Sequence, residues 1–178
     1  ENQTVEITEP EKPTLGTTAT VDGQHTAEPT GKITIVDVVQ YTGLISGNTY
    51  TISGVLMDKG TGEPLLVDGA EVTAEVEFTP EESAGTVELT YTLNASTLAG
   101  TTIVVFETLY SDGVKIAAHA DINDESQTIA INPKGGLLIQ KTSEDGVLEG
   151  FTFLVEGENY SETFRTNGAG KIYIENLA

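Results

Sequence analysis

The chain contains no cysteine and no tryptophan, and only 8 of its 178 residues are lysine or arginine. Without cysteine, no disulfide bond can stabilise the fold and no thiol chemistry is possible. The 8 basic residues face 28 acidic ones, and the resulting formal charge of −20 argues against nucleic acid or an anionic membrane as a partner. No apolar run approaches the length of a membrane span, and no signal peptide is recognisable, so we expect any export signal to lie upstream.

Signals for β-strands dominate the first 131 residues. Segments rich in β-branched and aromatic residues alternate with turns that contain glycine, asparagine or aspartate. The predicted strands are residues 33–41, 48–54, 70–78, 86–93 and 101–110. Only Asn94–Leu98 has the pattern of a helical turn. Many short strands at regular spacing predict an all-β fold, an Ig-like antiparallel β-sandwich, from about residue 14 to residue 131.

An internal repeat indicates a tandem organisation. Residues 1–7 and 125–131 share the pattern Glu-x-Gln-Thr-(Val/Ile)-x-Ile, and both segments run into a proline-containing link. Repeats at a fixed period are typical of arrays of similar modules. We therefore predict that residues 1–12 are the last strand of a preceding repeat with its linker, and that residues 13–132 form one complete domain.

Residues 133–178 predict a second, incomplete β-domain. This segment has two strands around an Asp-Gly turn, then two more around a glycine-rich loop. About 45 residues are few for an independent core. We interpret the segment as part of a second β-sandwich, and the sequence leaves open whether it is ordered.

A first strand over residues 15–21 and the strands 33–41 and 101–110 each carry one polar residue on an otherwise apolar face: Thr17, Asp37 and Glu107. A buried carboxylate costs several kcal/mol unless it is paired or protonated, so burial should raise its pKa. Two such acids close together can share a proton and act as donor and acceptor. The plain alternative, that each acid binds backbone groups or faces solvent, stays open from the pattern alone.

Five ordered motifs resemble the T-Q ester-bond domain, also called the VaFE repeat, of surface-anchored adhesin stalks in Gram-positive bacteria. The resemblance covers about residues 13–131 and implies an ester bond between a first-strand threonine and a last-strand glutamine. The motifs are Pro13–Ala19, Ile35–Leu44, Tyr50–Lys59, Val104–Glu107 and His119–Thr128.

By this resemblance, Thr17 is the nucleophile and Gln127 is the acyl donor, which loses ammonia. Thr18 is the alternative nucleophile, and strand parity with Leu15 favours Thr17. Gln3 fits the same glutamine position, but its threonine would lie upstream of residue 1. We therefore expect Gln3 to be unlinked.

Glu107, Asp37 and His119 match the supporting residues of the family. A threonine hydroxyl needs a base to accept its proton, and His119 is the candidate. A protonated Glu107–Asp37 pair could polarise or protonate the amide, although the sequence leaves the division of acid and base roles open. The reaction runs once, without cofactor or metal, and we expect Asp121–Glu125 to be a solvated acidic loop.

The segment after residue 133 resembles a Cna B-like (pilin-type, prealbumin-like) domain. The matching residues are Leu138–Lys141, Asp145–Phe153 and Thr166–Leu177. In many such domains a first-strand lysine forms an isopeptide bond, and Lys141 occupies that position. We expect Lys141 to have no acceptor in this chain.

These resemblances predict a structural stalk module of a cell-wall-anchored surface adhesin, outside the cell, monomeric and stabilised by its own ester. Its partners would be neighbouring repeats and, through a C-terminal anchor outside this chain, the cell wall. The alternative is a ligand-binding adhesin domain that recognises host protein or glycan, which the low aromatic content of 6% disfavours. A hydrolase with turnover is disfavoured because strand alternation buries the acids away from any cleft.

Overall fold

The computed structural model describes residues 11–157 and 160–177, so the predicted strand that contains Gln3 lies outside the described residues. The chain divides into two compact units, residues 1–132 and 133–178. In the described ranges every regular element is a β-strand except for one 3₁₀ turn, which confirms the all-β class. Within the same ranges no helix is long and apolar enough to span a membrane.

The first unit consists of eleven described strands and the 3₁₀ turn Glu125–Gln127. The strands are β1 (Thr14–Thr20), β2 (Thr26–Ala27), β3 (Lys32–Thr42), β4 (Tyr50–Asp58), β5 (Leu66–Val67), β6 (Ala70–Glu71), β7 (Thr73–Phe78), β8 (Gly85–Asn94), β9 (Thr102–Ser111), β10 (Val114–His119) and β11 (Thr128–Ile131).

Two sheets enclose one apolar core. The first sheet has the order β1-β3-β8, and the second has the order β2-β11-β9-β4-β7, with β10 also paired to β9. Burial alternates along the strands, as in β3, where Ile35 and Val39 are buried and their sequence neighbours are more exposed. Because alternate residues point to opposite faces of a strand, one face of each sheet supplies the core. The predicted β-sandwich is thus confirmed.

Strand β9 is the central strand of the second sheet. On one side it pairs with β4, and on the other it pairs first with β10 and then with β11. His119 lies opposite Glu107, whereas Thr128 lies opposite Val104. The chain therefore leaves the sheet after His119 and returns at Thr128, and residues 120–127 form a loop beside β9, between the end of β10 and the start of β11.

The local turns differ from the sequence expectation at two places. Asn94–Leu98 forms a single hydrogen-bonded turn, with the Leu98 amide donating to the Ala95 carbonyl at 2.9 Å, and is not helical. The 3₁₀ turn lies instead at Glu125–Gln127. Asp124 caps it, because its carboxylate accepts a hydrogen bond from the Ser126 amide at 2.8 Å.

The second unit contains four described strands in two separate antiparallel pairs, β12 with β15 and β13 with β14. Its interior is small, with Ile172 and Ile174 buried on β15. Apolar side chains remain exposed, among them Leu138, Leu154 and Tyr173. The strands are β12 (Gly135–Gln140), β13 (Thr152–Gly157), β14 (Tyr160–Arg165) and β15 (Lys171–Leu177).

Candidate functional site

A cluster of polar side chains lies inside the apolar core of the first unit. Thr17 is 7% exposed, Glu107 is 1% exposed, and Asp37 and Gln127 are fully buried. All four are residues that the sequence singled out. Thr18, the alternative nucleophile, is exposed on the other face of β1.

The first sheet contributes Thr17 and Asp37 to this cluster. In the register of β1 and β3, Thr17 lies opposite Val39, and Ala19 lies opposite Asp37. Residues that are directly opposed point to the same face, so Thr17 and Asp37 are diagonal neighbours on the inward face. Strand β3 is long and rich in β-branched residues, which holds this register firmly.

The loop before β11 brings Gln127 to the same place from the far end of the domain. Its 3₁₀ turn packs against β1 and β9. The Ser126 hydroxyl donates to the backbone carbonyl of Thr17 at 3.1 Å, and the Gln127 amide nitrogen donates to Asp37 Oδ1 at 3.4 Å. A hydroxyl and a carboxamide that are 110 positions apart in sequence therefore share one buried space.

Most polar atoms in this space have no hydrogen-bond partner among the described residues. These atoms are Thr17 Oγ1, Asp37 Oδ2, both carboxyl oxygens of Glu107, and Gln127 Oε1. A buried polar atom without a partner costs about 1–3 kcal/mol, so a cluster of them is unusual in a folded core. The arrangement fits groups that react with one another better than groups that only support the fold.

Both acids of the cluster have a pKa above the ordinary value. Burial raises the pKa of Asp37. Burial, the adjacent Asp37 carboxyl and the negative charge of Asp124 raise the pKa of Glu107 to about 10. At neutral pH Glu107 therefore carries a proton, which it can donate to an oxygen or nitrogen nearby.

His119 lies at the end of β10, directly opposite Glu107, and is paired with a second acid. Its Nε2 is 2.7 Å from Asp124 Oδ2, and the two side chains are 22% and 24% exposed. A hydrogen bond from the Ser126 hydroxyl is the main cause that lowers the pKa of Asp124. The Asp124 carboxylate thus accepts a hydrogen bond from the Nε2–H group, which leaves Nδ1 as the nitrogen with the free lone pair.

The role of Asp124 is not among the predictions made from the sequence. The prediction that Asp121–Glu125 is only a solvated acidic loop is wrong for this residue, because its carboxylate binds both His119 and Ser126. The spacing Asp124-x-Ser126, which is typical of a capped turn, was the available signal. Whether this turn lies beside His119 depends on where β10 and β11 pair with β9, which is a property of the tertiary structure.

Lys141 belongs to the second unit. Its Nζ is 3.8 Å from the centroid of the Phe151 ring and donates to the Thr142 carbonyl at 3.2 Å. An aromatic ring face attracts a cation, so the Phe151 ring stabilises the lysine ammonium group at this position. The Cna B-like interpretation of this unit stays a prediction.

Comparison with known structures agrees with the architecture. A bacterial adhesin from Mobiluncus mulieris containing intramolecular disulfide, isopeptide, and ester bond cross-links has a similar fold. Its TM-score is 0.64, at 20% identity over 94% of this chain and 77% of that one. A second crystal form of that adhesin gives a TM-score of 0.64 at 19% identity, with the same coverage. At this identity the likeness shows the fold. No curated protein sequence matches the chain.

The family of the first unit follows from the sequence comparison. The family model described as "T-Q ester bond containing domain" matches residues 13–131, two thirds of the chain. This span holds all four buried residues of the cluster together with His119 and Asp124. The resemblance given by the sequence motifs is thereby confirmed, and the chain belongs to the T-Q ester bond containing domain family.

Proposed function

We propose that residues 13–131 are a stalk module of a bacterial surface adhesin, stabilised by an ester bond that Thr17 and Gln127 form without any other protein. The observation that carries this proposal is the buried, largely unpartnered cluster in which their side chains share one space. The module would act outside the cell, joined to neighbouring modules and, through an anchor beyond this chain, to the cell wall. It would be a monomer that reacts once and is not an enzyme with turnover.

The reaction begins with proton transfer from Thr17. His119, oriented by Asp124, accepts the proton of the Thr17 hydroxyl, and Oγ1 attacks the side-chain carbonyl carbon of Gln127. The Gln127 carbonyl oxygen becomes negatively charged in the tetrahedral intermediate. Protonated Glu107 stabilises that charge by donating a hydrogen bond to it.

The intermediate collapses with loss of ammonia. The bond between the carbonyl carbon and Nε2 of Gln127 breaks, and Nε2 leaves with the proton that His119 received from Thr17. Asp37 accepts a hydrogen bond from Nε2 at 3.4 Å before the reaction and so orients the leaving group. One ester and one ammonia form from one hydroxyl and one carboxamide, and no water is consumed.

The fold contributes by fixing both reactants and by excluding water. Holding two groups in reactive geometry replaces a bimolecular encounter and is worth roughly 7–11 kcal/mol of the barrier. Gln127 and Asp37 are fully buried, so water that would hydrolyse the ester has poor access. The product is therefore expected to persist in the folded module.

Intact mass spectrometry tests the proposal directly. The native chain should be about 17 Da lighter than its sequence mass, because ester formation releases one ammonia. The Thr17→Val variant should have its full mass, and a Thr18→Val variant, altered at an exposed position beside the nucleophile, should lose ammonia like the native chain. Full mass for the native chain would refute the proposal.

The uncrosslinked module should lose stability as pH rises. In the folded state Glu107 keeps its proton up to a pKa of about 10, whereas the unfolded chain releases it near 4.5. The stabilisation from this group is complete below about pH 4.5 and is lost towards pH 10, by up to about 1.4 kcal/mol per pH unit. The raised pKa of Asp37 acts in the same direction.

Urea unfolding of Thr17→Val at several pH values measures this slope. Adding Glu107→Gln in the same background should flatten it, because glutamine does not titrate. If the stability of Thr17→Val were independent of pH, or rose over this range, Glu107 would not be held protonated in the fold.

A further inference from the structure

Tyr91 is a buried phenol that the reaction described above does not use. It lies on β8 in the core and is 1% exposed. Its hydroxyl oxygen is buried and has no hydrogen-bond partner within the part of the chain that the structure describes. Phenylalanine would fill the same space without that penalty, because an unpartnered buried hydroxyl costs about 1–3 kcal/mol. The hydroxyl therefore calls for a physical explanation.

The Tyr91 hydroxyl occupies the space where Gly54 has no side chain. A Cβ added to Gly54 would lie only 1.8 Å from the Tyr91 hydroxyl oxygen. Gly54 on β4 lies directly opposite Glu107 on β9. Opposed residues of an antiparallel pair point to the same face, with their Cβ positions about 5 Å apart. The Tyr91 hydroxyl thus crosses the core and ends beside the Glu107 side chain.

Tyr91 is also a neighbour of Asp37 within the first sheet. Asp37 lies opposite Leu89 and Ile35 lies opposite Tyr91, so Tyr91 and Asp37 are diagonal on the inward face. The acid pair therefore has Gln127 on one side and the Tyr91 hydroxyl on the other. Three carboxyl oxygens of the acid pair have no hydrogen-bond partner among the described residues: both oxygens of Glu107 and Oδ2 of Asp37.

The charges around Tyr91 keep its hydroxyl protonated. Burial and the negative charges that Asp37 and Glu107 carry once they ionise raise the pKa of Tyr91 above its ordinary value. A phenol that stays neutral is a hydrogen-bond donor throughout the pH range in which histidine acts as a base. The ionisable side chains around the acid pair are Tyr91 from β8, His119 from β10 and Asp124 from the following loop.

We propose that Tyr91 is a positioning residue for ester formation: in the reacting module its hydroxyl, which in this structure lies unpartnered beside the equally unpartnered Glu107 carboxyl, donates a hydrogen bond to that carboxyl and thereby directs the Glu107 proton towards the Gln127 carboxamide. This inference rests on the proposed Thr17–Gln127 crosslink. A donor on the far side of a carboxyl group occupies one of its oxygens and leaves the other to carry the proton. Gly54 is the residue that permits the hydroxyl to approach Glu107, because any side chain there would displace the hydroxyl.

The test compares Tyr91→Phe with Tyr41→Phe. Tyr41 is a matched control: it is 7% exposed in the same core, and a Cβ added to Gly85 would lie 2.4 Å from its hydroxyl oxygen. It is four residues from Asp37 along β3, roughly 13 Å away at the rise of a strand. Each full chain is unfolded in guanidinium chloride at acidic pH directly after cell-free synthesis. It is then diluted into buffers of different pH, and loss of ammonia is followed by intact mass.

Tyr91→Phe should slow ester formation by about tenfold or more, as expected for loss of one positioned hydrogen bond to an acid pair. Without the donor the ionised acid is less stabilised, so the alkaline limb of the pH–rate profile should move to higher pH. Tyr41→Phe should match the native chain in both respects. In the unreactive Thr17→Val background, a ¹³C NMR titration of the Glu107 carboxyl should show a raised pKa when Tyr91→Phe is added.

Three results would overturn the inference. The first is a native rate and pH profile in Tyr91→Phe. The second is a slower reaction with an unmoved alkaline limb and an unmoved Glu107 titration, because a purely structural role gives that pattern. A native chain that never loses ammonia would overturn the proposed crosslink itself and this inference with it.

Discussion

Pulled from its two ends, the native chain should extend far less than its Thr17→Val variant. The segment from Thr17 to Gln127 spans 110 positions, and the ester keeps it from extending when force is applied. A fully extended chain spans roughly 3.3–3.6 Å per residue, so the ester should prevent about 360–400 Å of extension. The distance that already separates Thr17 and Gln127 in the fold is subtracted from this length. Single-molecule force spectroscopy measures this difference as a missing unfolding step.

The equilibrium effect of the same crosslink is smaller but measurable. By the entropy argument used for disulfides, closing a loop of this length stabilises the fold by roughly 4–5 kcal/mol. For a domain of this size, that corresponds to a Tm about 15–20 °C higher in the native chain than in Thr17→Val. Thr18→Val serves as the control in both measurements. An equal unfolding length in native and Thr17→Val chains would show that the ester does not carry the load.

Removing the base should nearly abolish ester formation. His119→Ala should slow the loss of ammonia by roughly 10²–10⁴-fold, the usual contribution of a positioned base. Asp124→Asn should also slow it, because an amide does not hold the ring with Nδ1 as the basic nitrogen. A time course of intact mass after synthesis measures both rates.

The second histidine provides the matched control. His25 also lies near the crosslinking loop, with its Nδ1 3.2 Å from the Thr128 carbonyl, but it is not paired with an acid of the cluster. His25→Ala should therefore form the ester at the native rate. If His119→Ala reacted as fast as His25→Ala, another group would have to accept the Thr17 proton, and the assigned role of His119 would be wrong.

Most of the residues in the cluster were accessible to sequence reasoning because strand alternation is a local property. A polar residue on an otherwise apolar face, as Asp37 and Glu107 are, must point into the core if the strand forms. Gln127 was found by its repeat with residue 3 and by its motif, although it lies in a 3₁₀ turn before β11 and not in the strand itself.

Asp124 and Tyr91 were not accessible in the same way. Asp124 looked like one more acid in a charged loop, and its pairing with His119 exists because β10 and β11 follow one another along β9. Tyr91 looked like an ordinary core aromatic in an alternating strand. Its link to the acids became visible only through Gly54, a residue of the other sheet whose missing side chain makes room for the hydroxyl.

The amino-acid sequence alone determined the all-β class, the inward faces of the strands and the family, because these depend on the order and spacing of residue types. The tertiary structure decided which inward polar atoms meet, which of them lack partners and which acids keep their protons. Those properties depend on distances and burial summed over both sheets, between residues as far apart in the chain as Thr17 and Gln127, and no local pattern contains them.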